Sequence, residues 1–217
     1  MKVLEPGPDI VWLGHDTFRI TAEQVVYTDP YKLNVTAPKA DVILITHGHF
    51  DHCAPEDIAK ISTPDTVIVA PGECAETLKG YKLQVVKPGD RVIVKGLTIE
   101  AVPAYNINKF RSPGQVFHPK ADGKVGYVIT IGGCRVYHAG DTDFIPEMRN
   151  ISCDIALLPV SGTYVMTAQE AAQAANQIKA RMTIPMHYGA IVGKENDAEQ
   201  FKKLCQVPVT ILKQGGG

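Results

Sequence analysis

Apolar and polar positions along this chain change their period several times, and the changes divide it into elements. Residues 10–13 and 18–20 are short β-type runs joined through Gly14-His15-Asp16, and a third at 25–27 is stopped by Thr28-Asp29-Pro30. Val42-Ile43-Leu44-Ile45, a short, branched, wholly apolar run after a charged residue, predicts a buried strand. Pro55 opens a helix to about Ile61, with Glu56 and Asp57 well placed on its dipole. A strand is predicted at 66–69, a short helix at 72–79, and strands at 83–86, 91–94 and 97–102. Residues 103–124 keep no period, and so long an unpatterned stretch is usually functional or disordered.

Beyond it, strands at 126–131 and 135–138 flank a Gly132-Gly133 turn, and 155–158 is a further buried strand. Thr167-Ala168-Gln169-Glu170 is a capping-box signature, after which Ala168, Ala171, Ala172, Ala175 and Ile178 recur at helical spacing to about Ala180. A strand at 182–186, a helix at 197–204, a last strand at 209–212 and a frayed tail at 215–217 complete the chain. Many strands, then strands alternating with helices, imply two facing sheets with helices outside, in one domain over residues 1–217.

Composition narrows the setting. With 217 residues, 45% of them hydrophobic, the chain can bury a substantial core. A net charge of −1 gives no general attraction to nucleic acid or anionic membranes. Five scattered cysteines without a C-x-x-C suit reduced thiols, and the N-terminus lacks an apolar export core. The expectation is a cytoplasmic protein acting on a small molecule, with a homo-oligomer compatible and no evident nucleic-acid or membrane partner.

The chemistry concentrates just after the run at 42–45. His47-Gly48-His49-Phe50-Asp51-His52 packs four potential metal ligands into six positions. Imidazole and carboxylate donors suit zinc and its first-row neighbours. One tetrahedral ion could hardly use all four, whereas two could: His47 and His49 on one, Asp51 and His52 on the other. Gly48, lacking a Cβ, is read as allowing the turn. Asp141 and His187, both at strand ends, and His118 in the long stretch would complete two three-ligand sets if Asp141 bridges. His138 is the rival of His118. His15 is a candidate for a supporting or substrate contact, and Asp29 for orienting the histidine loop. Cys53 reads as a buried thiol. Lys109, Arg111, Lys120 and Lys124 share the long stretch with His118 and could receive an anionic substrate, or form a solvated basic loop.

At these residues the chain resembles the metallo-β-lactamase-fold hydrolase superfamily: H-x-H-x-D-H at 47–52, Gly-Asp-Thr at 140–142, the late His187, and Asp29. Trp12-Leu-Gly-His15, Pro-Ala-Tyr-Asn106 and Tyr137-His-Ala-Gly-Asp-Thr142 are similar to its small cytosolic branch, which includes the ascorbate-phosphate lactonase and uncharacterised metal-dependent hydrolases. The resemblance implies an α/β fold, a four-layer αβ/βα sandwich, with metals between the sheet ends. It adds Asn106 to the candidate supporting or substrate-binding residues.

The reading is therefore a metal-dependent hydrolase. Two divalent ions, zinc first with manganese or iron also suited, would supply a metal-bound hydroxide that cleaves a phosphodiester, lactone or carboxyl ester. Asp51 is the catalytic candidate, steering the proton of that hydroxide. The alternatives are a nucleic-acid-processing phosphodiesterase and a non-catalytic metal-binding or sensor module.

Overall fold

The computed structural model describes residues 7–34 and 36–215; the first residues of the export-signal reading and Gly216 and Gly217 of the tail lie outside them. Two six-stranded sheets dominate. The first runs in order from β1 (Asp9–Gly14) through β2 (Thr17–Thr21), β3 (Val25–Thr28), β4 (Val42–Leu44) and β5 (Val67–Pro71) to β6 (Lys82–Val86). Its first three strands are antiparallel, and β3 to β6 are parallel. The second sheet is formed by β7 (Arg91–Val94), β8 (Leu97–Pro103), β11 (Val125–Ile131), β12 (Cys134–His138), β13 (Ile155–Pro159) and β14 (Met182–Met186), in spatial order β14-β13-β12-β11-β8-β7. Between them in the chain, β9 (Phe110–Ser112) and β10 (Gln115–Val116) make a separate two-stranded ribbon.

Strand β4 shows why its run does not alternate. Val42 and Leu44 enter the core between the sheets, whereas Ile43 and Ile45 pack with Ile58 and Ile61 of α1 (Pro55–Ile61) on the outer face. Both faces are buried, so both need apolar side chains. Helices α2 (Ala168–Ile178) and α3 (Glu195–Leu204) cover the second sheet, α2 beside β13 and α3 beside β14. The result is the four-layer αβ/βα sandwich. The Thr167 side chain accepts the Glu170 N–H while Glu170 accepts the Thr167 N–H, so α2 starts in a capping box.

Three local expectations are corrected. Residues 72–79 form only a 3₁₀ turn, Gly72–Cys74, and then turns, because exposed polar positions there leave little apolar face to pack. Residues 103–124 are not structureless: backbone bonds from Ala104 to Lys124, Asn106 to His118 and Phe117 to Lys109 zip their two arms together below the β9–β10 ribbon. The segment at 209–212 makes an isolated bridge from Val209 to Thr183 instead of a strand. Of the tail, Gly215 is held, its N–H donating to the Trp12 carbonyl at 2.8 Å. No helix among the described residues is long and apolar enough to cross a membrane.

Candidate metal centre

The parallel strands of both sheets end on one side, and the turns leaving them carry the candidate donors. Asp29 follows β3, residues 46–52 follow β4, Asp141 follows β12, His187 follows β14, and His15 lies in the β1–β2 turn. His15, Asp29 and His187 adopt φ of 50°, 39° and 58°, a left-handed conformation uncommon without glycine. Such strain persists where surrounding contacts over-determine it, often at functional sites. Gly140, at φ 63°, lets Asp141 approach the histidine loop, since a Cβ there would meet the Val125 carbonyl at 3.0 Å and Thr46 at 3.1 Å.

One donor set comprises His47, His49, His118 and Asp141. His49 Nδ1 lies 2.9 Å from His47 Nε2 and 3.4 Å from His118 Nε2; Asp141 Oδ2 lies 3.9 Å and 3.5 Å from the same two Nε2 atoms. Donors at about 2.0–2.1 Å around a tetrahedral ion stand roughly 3.3 Å apart, so these spacings suit one ion. The other ring nitrogens of His47 and His118 are taken. Thr46 Oγ1 lies 3.0 Å from His47 Nδ1, and Asn106 Oδ1 accepts from His118 Nδ1 at 2.8 Å and from its N–H at 2.9 Å. Asn106 is itself held: its Nδ2 donates to Asp143 Oδ1 and to the Tyr164 carbonyl. Burial drives His47 well below the usual histidine range, and His118 to about 4. Neutral imidazoles are what a metal requires.

Asp141 turns its other oxygen to a second set. Oδ1 is 3.3 Å from His187 Nε2 and 3.5 Å from His52 Nε2. His52 Nδ1 meets Asp29 Oδ2 at 2.8 Å, and His187 Nδ1 meets Ser161 Oγ at 3.0 Å. Here burial is overridden. The Asp141 and Asp29 carboxylates lift His52 well above its usual range, and Asp141 and Asp16 lift His187 to about 9. Asp141 itself is held far down, its burial outweighed by His187 and His52.

The residues fit divalent ions on the structure's own terms. His52 Nε2 and Asp141 Oδ1 are buried without a hydrogen-bond partner although both point into the cluster. A buried polar atom left unpaired costs on the order of 1–3 kcal/mol, a cost coordination would remove. Protons on His52 and His187 occupy the place of positive charge that a cation would bring.

Asp51 lies at the rim, 14% exposed, with Oδ2 3.1 Å from His15 Nε2 and 3.8 Å from His52 Nε2. Burial raises its carboxyl, but the His15 bond and nearby His52 bring it below its usual value, so it is ionised. Asp29 accepts from the Thr46 N–H, the Thr46 hydroxyl and His52, tying the loop's start to its end. His138 is turned away: its Nε2 meets the Asp16 carbonyl at 2.9 Å and its Nδ1 accepts the Gly140 N–H, so His118 and not His138 joins the donor set. Cys53 is buried beneath the loop. Gly48 is a correction. It has no positive φ, and an added Cβ would make only ordinary contact with Glu73; what it supplies is an N–H to Glu73 Oε1 at 2.8 Å.

The basic residues of 103–124 are mostly engaged. Lys109 pairs with Glu170 at 2.8 Å and Asp143 at 3.3 Å, Lys120 with Glu147, and buried Lys124 with Glu73; Arg111 is exposed on the ribbon. Sequence reasoning missed Asp16, Ser161 and Asp143. Asp16 reads as a turn residue, and Ser161 and Asp143 carry no motif; only folding brings them to the cluster.

With this geometry in hand, comparison with known proteins is specific. Residues 9–187 match the family described as the beta-lactamase superfamily domain. A UPF0173 metal-dependent hydrolase of Methanosphaerula palustris is 34% identical, covering 95% of this chain and 97% of its own length. The crystal structure of a Parabacteroides distasonis protein is 35% identical with a TM-score of 0.84, covering 95% of this chain and 94% of that one. A diiron β-hydroxylase of Streptomyces venezuelae, 13% identical with a TM-score of 0.72 over 96% of this chain and 53% of its own, shares the fold alone.

Proposed function

Because the chain belongs to the beta-lactamase superfamily and, within it, to the UPF0173 metal-dependent hydrolases, we propose that it cleaves an ester-type bond in a small substrate with two divalent ions. The observation that carries the reading is Asp141, whose two oxygens face two separate imidazole sets. Ions held there would lower the pKa of water toward neutrality and polarise a carbonyl or phosphoryl oxygen. His47, His49 and His118 would hold one, and His52, His187 and Asp51 the other, with Asp141 between. Thr46, Asn106, Asp29 and Ser161 keep the imidazoles in register. Asp51, steadied by His15 at 3.1 Å, would steer the remaining proton of the hydroxide while helping to hold its ion.

The surroundings bear on the substrate. Three of the four cations near His118 face carboxylates, which weakens their pull on an anion. Phe50 beside His49 is 67% exposed, and Ile107, Tyr164 and Ile191 are exposed on neighbouring loops. An exposed apolar rim suits a substrate with an apolar group flanking the scissile bond. The test is a panel of phosphodiesters, which are always anionic, and of lactones and carboxyl esters with neutral and anionic members, on protein loaded with zinc, manganese or iron. Metal-dependent turnover with preference for neutral, apolar members supports the reading. Tight metal binding without turnover on any class sinks it in favour of a sensor.

A further inference from the structure

Among the ring donors, His49 is held differently from the rest. Thr46, Asn106, Asp29 and Ser161 meet the outward nitrogens of His47, His118, His52 and His187. His49 turns Nδ1 to the cluster, and among the described residues no hydrogen bond reaches its Nε2. Its place therefore rests on the backbone of the histidine loop. The His49 carbonyl accepts the N–H groups of His52 and Cys53 at 3.0 Å and 2.8 Å, and the Gly48 N–H donates to Glu73 Oε1 at 2.8 Å. Glu73 lies in the turn that follows β5 of the first sheet, and it is pinned in turn. Lys124 Nζ stands 3.1 Å and 3.2 Å from its two oxygens, with Asp122 farther off at 3.9 Å. The Lys124 side chain is only 6% exposed, a burial that lysine tolerates only when paired. Lys124 immediately precedes β11 of the second sheet, and the next residue, Val125, donates its N–H to the Thr46 carbonyl at 3.1 Å. Both sheets thus grip the stretch 46–48, one end through Val125 and Thr46 and the other through Glu73 and Gly48. An uncharged pair of like size would serve packing as well as this ion pair does, whereas the Gly48 N–H needs an acceptor in one place.

Building on the two-ion reading above, we propose that Glu73 is a positioning residue for His49 at the first metal position, and that Lys124 holds its carboxylate against the Gly48 N–H. Without that acceptor the peptide joining His47 to Gly48 is free to turn, and His49 has no side-chain partner to keep it in place. His47 is tied by Thr46 and His118 by Asn106, so the effect falls on one donor of the first position and spares the second.

Zinc titration against a chromophoric chelator tests this in two double variants that both remove the charge pair. Glu73→Gln with Lys124→Met keeps an amide oxygen for the Gly48 N–H; Glu73→Ala with Lys124→Met does not. Loss in His118→Ala identifies which equivalent belongs to the first position. The expected result is a first position weakened at least about tenfold in the alanine double variant and within about threefold of wild type in the glutamine one, with the second unchanged in both. A pair that only stabilises the fold would lower Tm in both double variants and leave both zinc affinities as they are, which overturns the inference; so does equal weakening in the two. Far-UV circular dichroism of the metal-free proteins checks that they fold. If either double variant does not, Glu73→Asp decides by the same titration, since it keeps a charge for Lys124 but draws the acceptor back from Gly48. A weakened first position then supports the inference and an unchanged one overturns it. A wild-type protein that takes up a single zinc ion removes the two-ion reading. The inference then stands if the alanine double variant binds that ion about tenfold more weakly than the glutamine one, and falls if it does not.

Discussion

The two halves of the cluster use the same residue types and tune them in opposite directions. On the His47 side, burial keeps the imidazoles neutral, His118 falling to about 4. On the His52 side, equally buried histidines are lifted, His187 to about 9, because carboxylates of Asp141, Asp29 and Asp16 surround them. The difference lies in neighbours and not in exposure, since His47, His52, His118 and His187 are all buried. One half is therefore ready for a metal as it stands, and the other must release protons to receive one.

The largest effect should come from removing what both halves share. Asp141→Ala, combined with His49→Ala, should lose both ions and bring kcat/KM down to that of the metal-free protein. Elemental analysis checks this, and retained stoichiometric metal would break the comparison at its root.

A selective effect should follow from the orienting groups. Asn106→Ala frees the His118 ring and should weaken the first position roughly 10–100-fold, leaving the second; Ser161→Ala should do the reverse through His187. Chelator titrations that show both variants affecting both positions equally would mean the halves are not separable.

Protons offer a sharper reading. At pH 7, zinc should displace a proton from His187 at the second position and none from His118 at the first, a difference calorimetry in buffers of unequal ionisation enthalpy resolves. Stability of the metal-free protein carries the same signature. His118 has a folded pKa of about 4 against an ordinary 6.5, so the unfolded chain binds more protons between these values and stability rises with pH across them. His187 has a folded pKa of about 9, so its contribution is present below 6.5 and lost as pH rises to 9. Together these two groups favour a stability maximum near pH 6.5. A metal-free protein most stable near pH 9 would contradict the His187 assignment, and one most stable below pH 4 the His118 assignment.

The smallest effect concerns the arm that delivers His118. Lys109→Met removes the partner of Glu170 and Asp143, a loss on the order of 1 kcal/mol that lowers Tm by about 2–4 °C. KM should change by a similar factor for neutral and anionic substrates. A large, charge-selective rise would return Lys109 to the substrate.

Much of this arrangement was legible before folding was considered. The unalternating run of β4, the capping box before α2 and the glycine turn between β11 and β12 are local signals that structure could not easily contradict. The donors of the histidine loop were equally plain, because their types and spacing suffice to suggest metals. Residues 103–124 were not legible: their ribbon and zipped arms depend on contacts with Asp143 and Glu170, far along the chain. Gly48 was misread for a related reason. Its role depends on a carboxylate at Glu73, which no local rule could supply.

By itself, the sequence determined which chemical groups were available and that two buried sheets would carry them, since periodicity and ligand type are properties of neighbouring residues. Tertiary structure alone decided which nitrogen of each imidazole faces inward, that His138 turns away, that Asp141 stands between two sets, and that Asp16 is sealed among them. Those outcomes depend on distances between segments more than a hundred residues apart in some cases, such as His138 and Asp16, and on the burial and charge that folding imposes on otherwise identical side chains.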